Sequence, residues 1–159
     1  MRNQKKIRFT KDCKNFKAEK PSEKWVGDIT YIYTKETGWT YLAIVIDLFD
    51  LKVIGWSYGV NMTANLVINA FAKAKSKRDI TENMIFHSDL GSQYTSNEYE
   101  KLLTENKVKH SYSKKGYPYD NASMESFNSI LKKEEVNVSS YETFNEAKLV
   151  LFDFIEGWY

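Results

Sequence analysis

The chain has 159 residues, 23 Lys and Arg against 21 Asp and Glu, and a net charge of +2, a size that suits one domain with a real core. A single cysteine, Cys13, and two histidines exclude an internal disulfide framework and a His/Cys zinc module. Two Pro and seven Gly argue against a low-complexity chain, and no apolar run reaches the roughly 18 residues of a membrane span.

Charge is unevenly spread. Residues 1–24 carry nine Lys/Arg against three acids, a balance of +6 that leaves −4 for residues 25–159. A basic arm on an acidic body suits a polyanionic partner, or is simply a solvated tail. The division read here is an arm or linker over residues 1–20 and a core over residues 21–159, beginning at Pro21-Ser22.

In chain order, Trp25 to Tyr33 is rich in β-branched and aromatic residues and predicts a strand. After a turn at Thr37-Gly38, Trp39 to Leu48 predicts a second strand, apolar enough to be buried on both faces. Phe49-Asp50 turns into a third, Lys52 to Tyr58, which completes an antiparallel meander. The period then moves from two toward 3.6. Thr63 caps a predicted helix through Lys77, with Leu66, Val67, Ala70, Phe71 and Ala74 inward.

Asn83 to His87 predicts a fourth strand that ends in the polar turn Ser88 to Ser92. Ser96 or Asn97 starts a helix through Asn106, and Val108 to Tyr112 predicts a fifth strand. Lys114 to Pro118 is a basic loop leading to a helix over Tyr119 to Lys133, capped by Asp120 or Asn121. On that helix Met124, Phe127, Ile130 and Leu131 form an apolar stripe, and Glu125, Asn128, Ser129 and Lys132 a polar one. Ser139 with Glu142 reads as a capping box. It would start a last helix that buries Phe144, Ala147, Leu151, Phe154 and Ile155. The order is β-β-β-α-β-α-β-α-α: a five-stranded mixed sheet flanked by helices, in the α/β class.

Three acids occupy chemically suggestive places. Asp28 interrupts a strand built for a core, either as a functional group or as a residue on a solvated face. Asp89 follows the fourth strand, where α/β sheets present reactive groups, but Asp-x-Gly is also an ordinary turn. Glu125 sits in the first turn of a helix after a basic loop. Converging carboxylates resist ionising together, and divalent cations resolve that conflict. Mg²⁺ takes hard carboxylate oxygens together with substrate phosphate, and two such ions serve in-line phosphoryl displacement.

His87 and His110 read as structural, His110 as a strand surface residue, and Asp47 and Asp50 as servants of the turn between strands two and three. On an ideal helix Lys132 lies within about 20° of Glu125, two turns on. Tyr117 and Tyr119 suit either base stacking or packing.

The blocks WVGDITYI, FHSDLGSQYTS and YDNASMESFNSILKKE resemble the signature blocks of insertion-sequence transposases related to retroviral integrases. Asp89 and Glu125 are separated by 35 residues, and Lys132 follows Glu125 by seven, as in that D,D(35)E family. The resemblance runs from about residue 17 to the C-terminus and implies a ribonuclease-H-like fold. It also implies a catalytic, metal-binding triad of Asp28, Asp89 and Glu125, two Mg²⁺ ions with Mn²⁺ as a substitute, and DNA contacts by Lys132, Lys114, Lys115, Gly116, Tyr117 and Asn121.

The activity it implies is phosphodiester cleavage followed by 3′-hydroxyl strand transfer on insertion-sequence ends and target DNA. It further implies a homo-oligomer on DNA, no membrane partner, and a bacterial cytoplasm with nucleoid association. Relatives carry sequence on both sides of this core, so the resemblance marks the chain as an excised or C-terminally truncated core. A nuclease of the same fold and a non-catalytic DNA-binding or dimerising remnant are the alternatives.

Overall fold

A computed structural model describes residues 18–113, 122–136 and 140–158. Strands β1 (Lys24–Thr34), β2 (Gly38–Asp47) and β3 (Lys52–Gly59) form the expected antiparallel meander. β4 (Ile85–Ser88) lies parallel to β1 and β5 (Lys109–Tyr112) parallel to β4, giving the order β3-β2-β1-β4-β5. The helices are α1 (Ala64–Lys77), α2 (Asn97–Glu105), α3 (Ala122–Leu131) and α4 (Phe144–Trp158).

β2 explains the layering. Its side chains alternate between faces. Leu42, Ile44 and Ile46 join Val26, Ile32, Met124, Phe127, Leu131 and Leu151 on one side. Ala43 and Val45 join Trp25, Leu66, Phe71, Tyr99 and Leu103 on the other. The continuous apolar run in β2 thus reflects a strand covered by α3 and α4 on one face and by α1 and α2 on the other.

α1 packs directly on β3 at Gly55, where an added Cβ would lie 2.3 Å from the Ala70 carbonyl oxygen. The first helix uses all five predicted inward residues, Leu66, Val67, Ala70, Phe71 and Ala74. Losing a ring such as Phe71, which is fully buried, would cost about 3–5 kcal/mol.

The turn acids behave as the sequence suggested. Asp47 is fully buried and accepts from the backbone N–H groups of Ser22 and Phe49 at 2.9 and 3.0 Å. Arg78 bridges it to Asp50, at 2.7 Å to Asp47 and 2.6 Å to Asp50. This fork staples the β2–β3 turn to the end of α1.

Several boundaries differ from the sequence reading. β4 begins at Ile85 because Asn83 adopts a left-handed φ of 64°, which no strand accommodates. Thr63 occupies the cap position of α1 without a side-chain cap bond, whereas the Ser96 side chain does accept from Tyr99 N–H. The box that opens α4 is Thr143–Glu146: Thr143 Oγ1 accepts from Glu146 N–H, and Glu146 reaches back to Glu142 N–H. Ser139 lies outside the described residues. α3 runs on into a π-helical turn, Lys132–Val136, that residue periodicity did not reveal.

Candidate active site

The sheet register brings the first two acids together. Val26 pairs with His87 across the parallel β1–β4 ladder. Asp28, inside β1, and Asp89, just past the end of β4, each follow that pair by two residues, which aligns them on adjoining strands. Glu125 comes from the first turn of α3, whose apolar face is seated by Met124, Phe127 and Leu131. At Gly27 an added Cβ would lie 2.5 Å from Phe86 Cζ, so β1 meets β4's aromatic side chain where only glycine fits.

The three acids are held differently. Asp28 is partly buried, and Asp89 and Glu125 are exposed. Asp89 Oδ1 accepts from Gly91 N–H at 2.7 Å, so the turn role raised by the sequence is real and coexists with its place beside Asp28. Asp28 accepts from the side-chain amide of Asn128 at 3.0 Å. Asn128 is fixed in turn by the Thr30 hydroxyl, which donates to its Oδ1 at 2.5 Å.

Electrostatics tie the trio together. Asp28's pKa is pushed up to about 6, chiefly by burial, then by the negative charges of Asp89 and Glu125, against the Ile29 backbone N–H and Asn128, which lower it. Asp28 therefore senses both other acids. Among the described residues, no three His, Cys, Asp or Glu side chains converge tightly enough to enclose a metal ion.

Lys132 lines the same groove as Asp28 and Asn128. It stands at the start of the π turn, directly after α3. Lys114, Lys115, Gly116, Tyr117, Tyr119, Asp120 and Asn121 lie outside the described residues.

The histidines are structural, though one is misplaced by the sequence reading. His87 is buried on β4 with Nδ1 3.0 Å from Ser111 Oγ and Nε2 2.7 Å from Ser113 Oγ. Burial, with help from His110, holds its pKa down at about 4. It is thus neutral near pH 7 and pins β4 to β5. His110 is no surface residue. Its side chain is 5% exposed, between Glu100 of α2 and Ser88 of β4, each at 2.7 Å.

Asn128 is what the sequence reading missed. By sequence it is one polar residue of the α3 stripe with no partner in view. The available signal was its position one turn after Glu125, on the same face.

A family model described as integrase core domain matches residues 18–118, and a second of the same description matches 106–159. The chain belongs to the integrase core domain family. This integrase core is 46% identical over 144 residues to the transposase for insertion sequence element IS904 of Lactococcus lactis, covering 91% of the chain and 56% of that protein. It is 42% identical over 142 residues to the transposase InsF of IS3A from Escherichia coli K12, covering 89% of the chain and 49% of that protein. The chain thus spans about half the length of the curated relatives it matches.

Among solved structures it resembles the HTLV-2 integrase catalytic core domain in complex with magnesium, with TM-score 0.63, 22% identity, and 84% and 85% of the two chains covered. It also resembles a chain of the simian T-cell lymphotropic virus intasome in complex with the PP2A regulatory subunit B56 gamma. There the TM-score is 0.69 and the identity 21%, with 87% of this chain and 50% of that one covered. The integrase core has the ribonuclease-H-like fold of those neighbours, a five-stranded mixed sheet flanked by helices. No helix among the described residues is long and apolar enough to cross a membrane.

Proposed function

We propose that the chain is the catalytic core of an insertion-sequence transposase, a D,D(35)E polynucleotidyl transferase acting on element ends and target DNA. Asp28, Asp89 and Glu125 are its catalytic residues and would hold two Mg²⁺ ions, or Mn²⁺ in their place. One observation carries this reading: the parallel register of β1 and β4 aligns Asp28 with Asp89, and the Asn128–Asp28 hydrogen bond fastens α3, which carries Glu125, to β1.

The donor set suits such ions. All three side chains offer hard oxygens, and a dication would offset both the burial that chiefly raises Asp28's proton affinity and the charges of Asp89 and Glu125 that add to it. When bound, the ions would neutralise charge on the reacting phosphodiester and hold the attacking and leaving oxygens.

The chain's own residues supply position. Asn128 orients Asp28 and is itself oriented by Thr30. Gly91 N–H orients Asp89. Lys132 grips a DNA phosphate from the groove that Asp28 lines, and Lys114, Lys115, Gly116, Tyr117 and Asn121 extend that grip along the backbone. Water first cuts a phosphodiester at the element end and frees a 3′-hydroxyl, which then attacks a target phosphodiester. One site serves both steps because only the nucleophile changes. Joining two ends calls for at least two copies on DNA, in the bacterial cytoplasm at the nucleoid.

The test is incubation of labelled element-end DNA and a target plasmid with Mg²⁺, beside Glu125→Gln. Cleaved and joined products from the unsubstituted chain, and neither from Glu125→Gln, support the proposal. Hydrolysis without joining assigns a nuclease instead, and DNA binding without either product assigns a non-catalytic remnant.

A further inference from the structure

β4 ends at Ser88, so Asp89 stands one residue past the last ladder pair, Ser88 with Tyr112 on β5. There a side chain takes over from the ladder. The hydroxyl of Ser88, a fully buried residue, lies 3.0 Å from the Asp89 carbonyl oxygen and 2.7 Å from His110 Nε2. A carbonyl only accepts, so the hydroxyl donates to Asp89 and takes a hydrogen from the ring. The other ring nitrogen, Nδ1, is 2.7 Å from Glu100 Oε1 on α2, and that same oxygen accepts from the Tyr112 hydroxyl. One proton between Nδ1 and Glu100 completes the set. Burial lowers the ring's hold on that proton, and the charge and hydrogen bond of Glu100 strengthen it.

The ring also packs on Phe86, Tyr99 and Tyr112, with centroids 5.9, 5.9 and 4.0 Å away. A phenyl ring would serve that packing equally well. Packing therefore explains neither nitrogen, and both are spent on polar partners at a side chain only 5% exposed, where an unpaired one is costly.

We propose that His110 is a positioning residue for Asp89: Glu100 orients the ring, the ring commits the Ser88 hydroxyl, and Ser88 fixes the peptide from which the Asp89 carboxylate projects. The inference rests on the metal-holding role given to Asp89 above and adds how that acid is kept in place. The carboxylate is exposed, and among the described residues its one hydrogen bond comes from Gly91 N–H at 2.7 Å. Its direction therefore depends on the backbone that carries it. Removing a group that orients a metal-holding residue typically costs about 10–100-fold in metal affinity.

The experiment compares the unsubstituted chain with His110→Phe, His110→Gln, Ser88→Ala and the double variant His110→Phe/Ser88→Ala. Phe keeps the packing and removes both nitrogens, Gln returns a donor toward Ser88, and Ser88→Ala cuts the link itself. Two quantities are read on folded protein: Mn²⁺ affinity, and amide exchange at Gly91 in the metal-free chain. His110→Phe and Ser88→Ala are each expected to weaken Mn²⁺ binding about tenfold and to speed exchange at Gly91. The double variant is expected to be no worse than either single one, because both break the same relay. His110→Gln is expected to stay within about threefold of the unsubstituted chain.

Unchanged Mn²⁺ affinity in His110→Phe, additive losses in the double variant, or a Gln variant as weak as Phe overturns the proposal. Should His110→Phe fail to fold, Ser88→Ala decides alone: weakened binding supports the relay and unchanged binding overturns it. No Mn²⁺ binding by the unsubstituted chain overturns the proposed activity instead. Exchange at Gly91 then decides the relay, with faster exchange in the variants supporting it and unchanged exchange overturning it.

Discussion

The side-chain amide of Asn128 donates to the carboxylate of Asp28 at 3.0 Å, across 100 residues of sequence. That bond fastens α3, which carries Glu125, to β1, which carries Asp28. It also works against the burial and like-charge repulsion that lift Asp28's pKa to about 6.

Asn128→Ala therefore raises Asp28's pKa further and leaves the Thr30 hydroxyl without its Asn128 acceptor. The stability cost is about 1–2 kcal/mol. DNA cleavage falls, and the acid limb of its pH profile moves to higher pH. A purely structural role for Asn128 would lower stability and leave that limb where it was. Urea denaturation and a pH–rate series on the same preparation separate the two.

Asp28 also links pH to stability. Its folded pKa of about 6 stands above the ordinary 3.8 of a free Asp carboxyl, so between those values the folded state holds the proton more tightly than the unfolded chain. Stability from this group is present below about pH 4 and is lost as pH rises through 6, by at most about 3 kcal/mol. In metal-free buffer, Asp28→Asn should melt at a higher temperature than the unsubstituted chain at pH 7 and at nearly the same temperature at pH 4. Thermal melts at the two pH values check it.

Arg78→Ala strands the fully buried Asp47 with only backbone donors. A loss of about 3 kcal/mol follows, visible as a lower urea midpoint. The clamp sits at the β2–β3 turn, away from the three acids, so residual activity per folded molecule stays unchanged.

Gly27→Ala places a methyl 2.5 Å from Phe86 Cζ. Relief requires Phe86 or β1 to move, at about 1–3 kcal/mol, and β1 carries Asp28 in the next position. Cleavage should fall more than stability does, as measured by specific activity at a temperature where the variant is fully folded.

Much of this was legible because the signals were local. Leu66, Val67, Ala70, Phe71 and Ala74 repeat at helical spacing, and all five are buried. The unbroken apolar run of β2 announced a strand covered on both faces. Asp28, Asp89 and Glu125 stood out by where they interrupt or end their elements. Features that depend on distant partners were hidden. His110 reads as a surface residue of a short strand until Glu100 of α2 closes over it. Asn128 looks like a solvated amide until β1 supplies Thr30 and Asp28. The π turn after Leu131 leaves no mark in the residue periodicity. The box that opens α4 is set by where the helix begins, at Phe144, with Thr143 accepting from Glu146 N–H.

The central claim is that Asp28, Asp89 and Glu125 act as one divalent-cation site. The most direct measurement is a Mn²⁺ titration followed by electron paramagnetic resonance on the unsubstituted chain, Asp28→Asn, Asp89→Asn and Glu125→Gln. Binding by the unsubstituted chain, weakened at least about tenfold by each of the three substitutions, is the predicted result. A chain that binds no Mn²⁺, or one of the three variants binding as tightly as the unsubstituted chain, would contradict it.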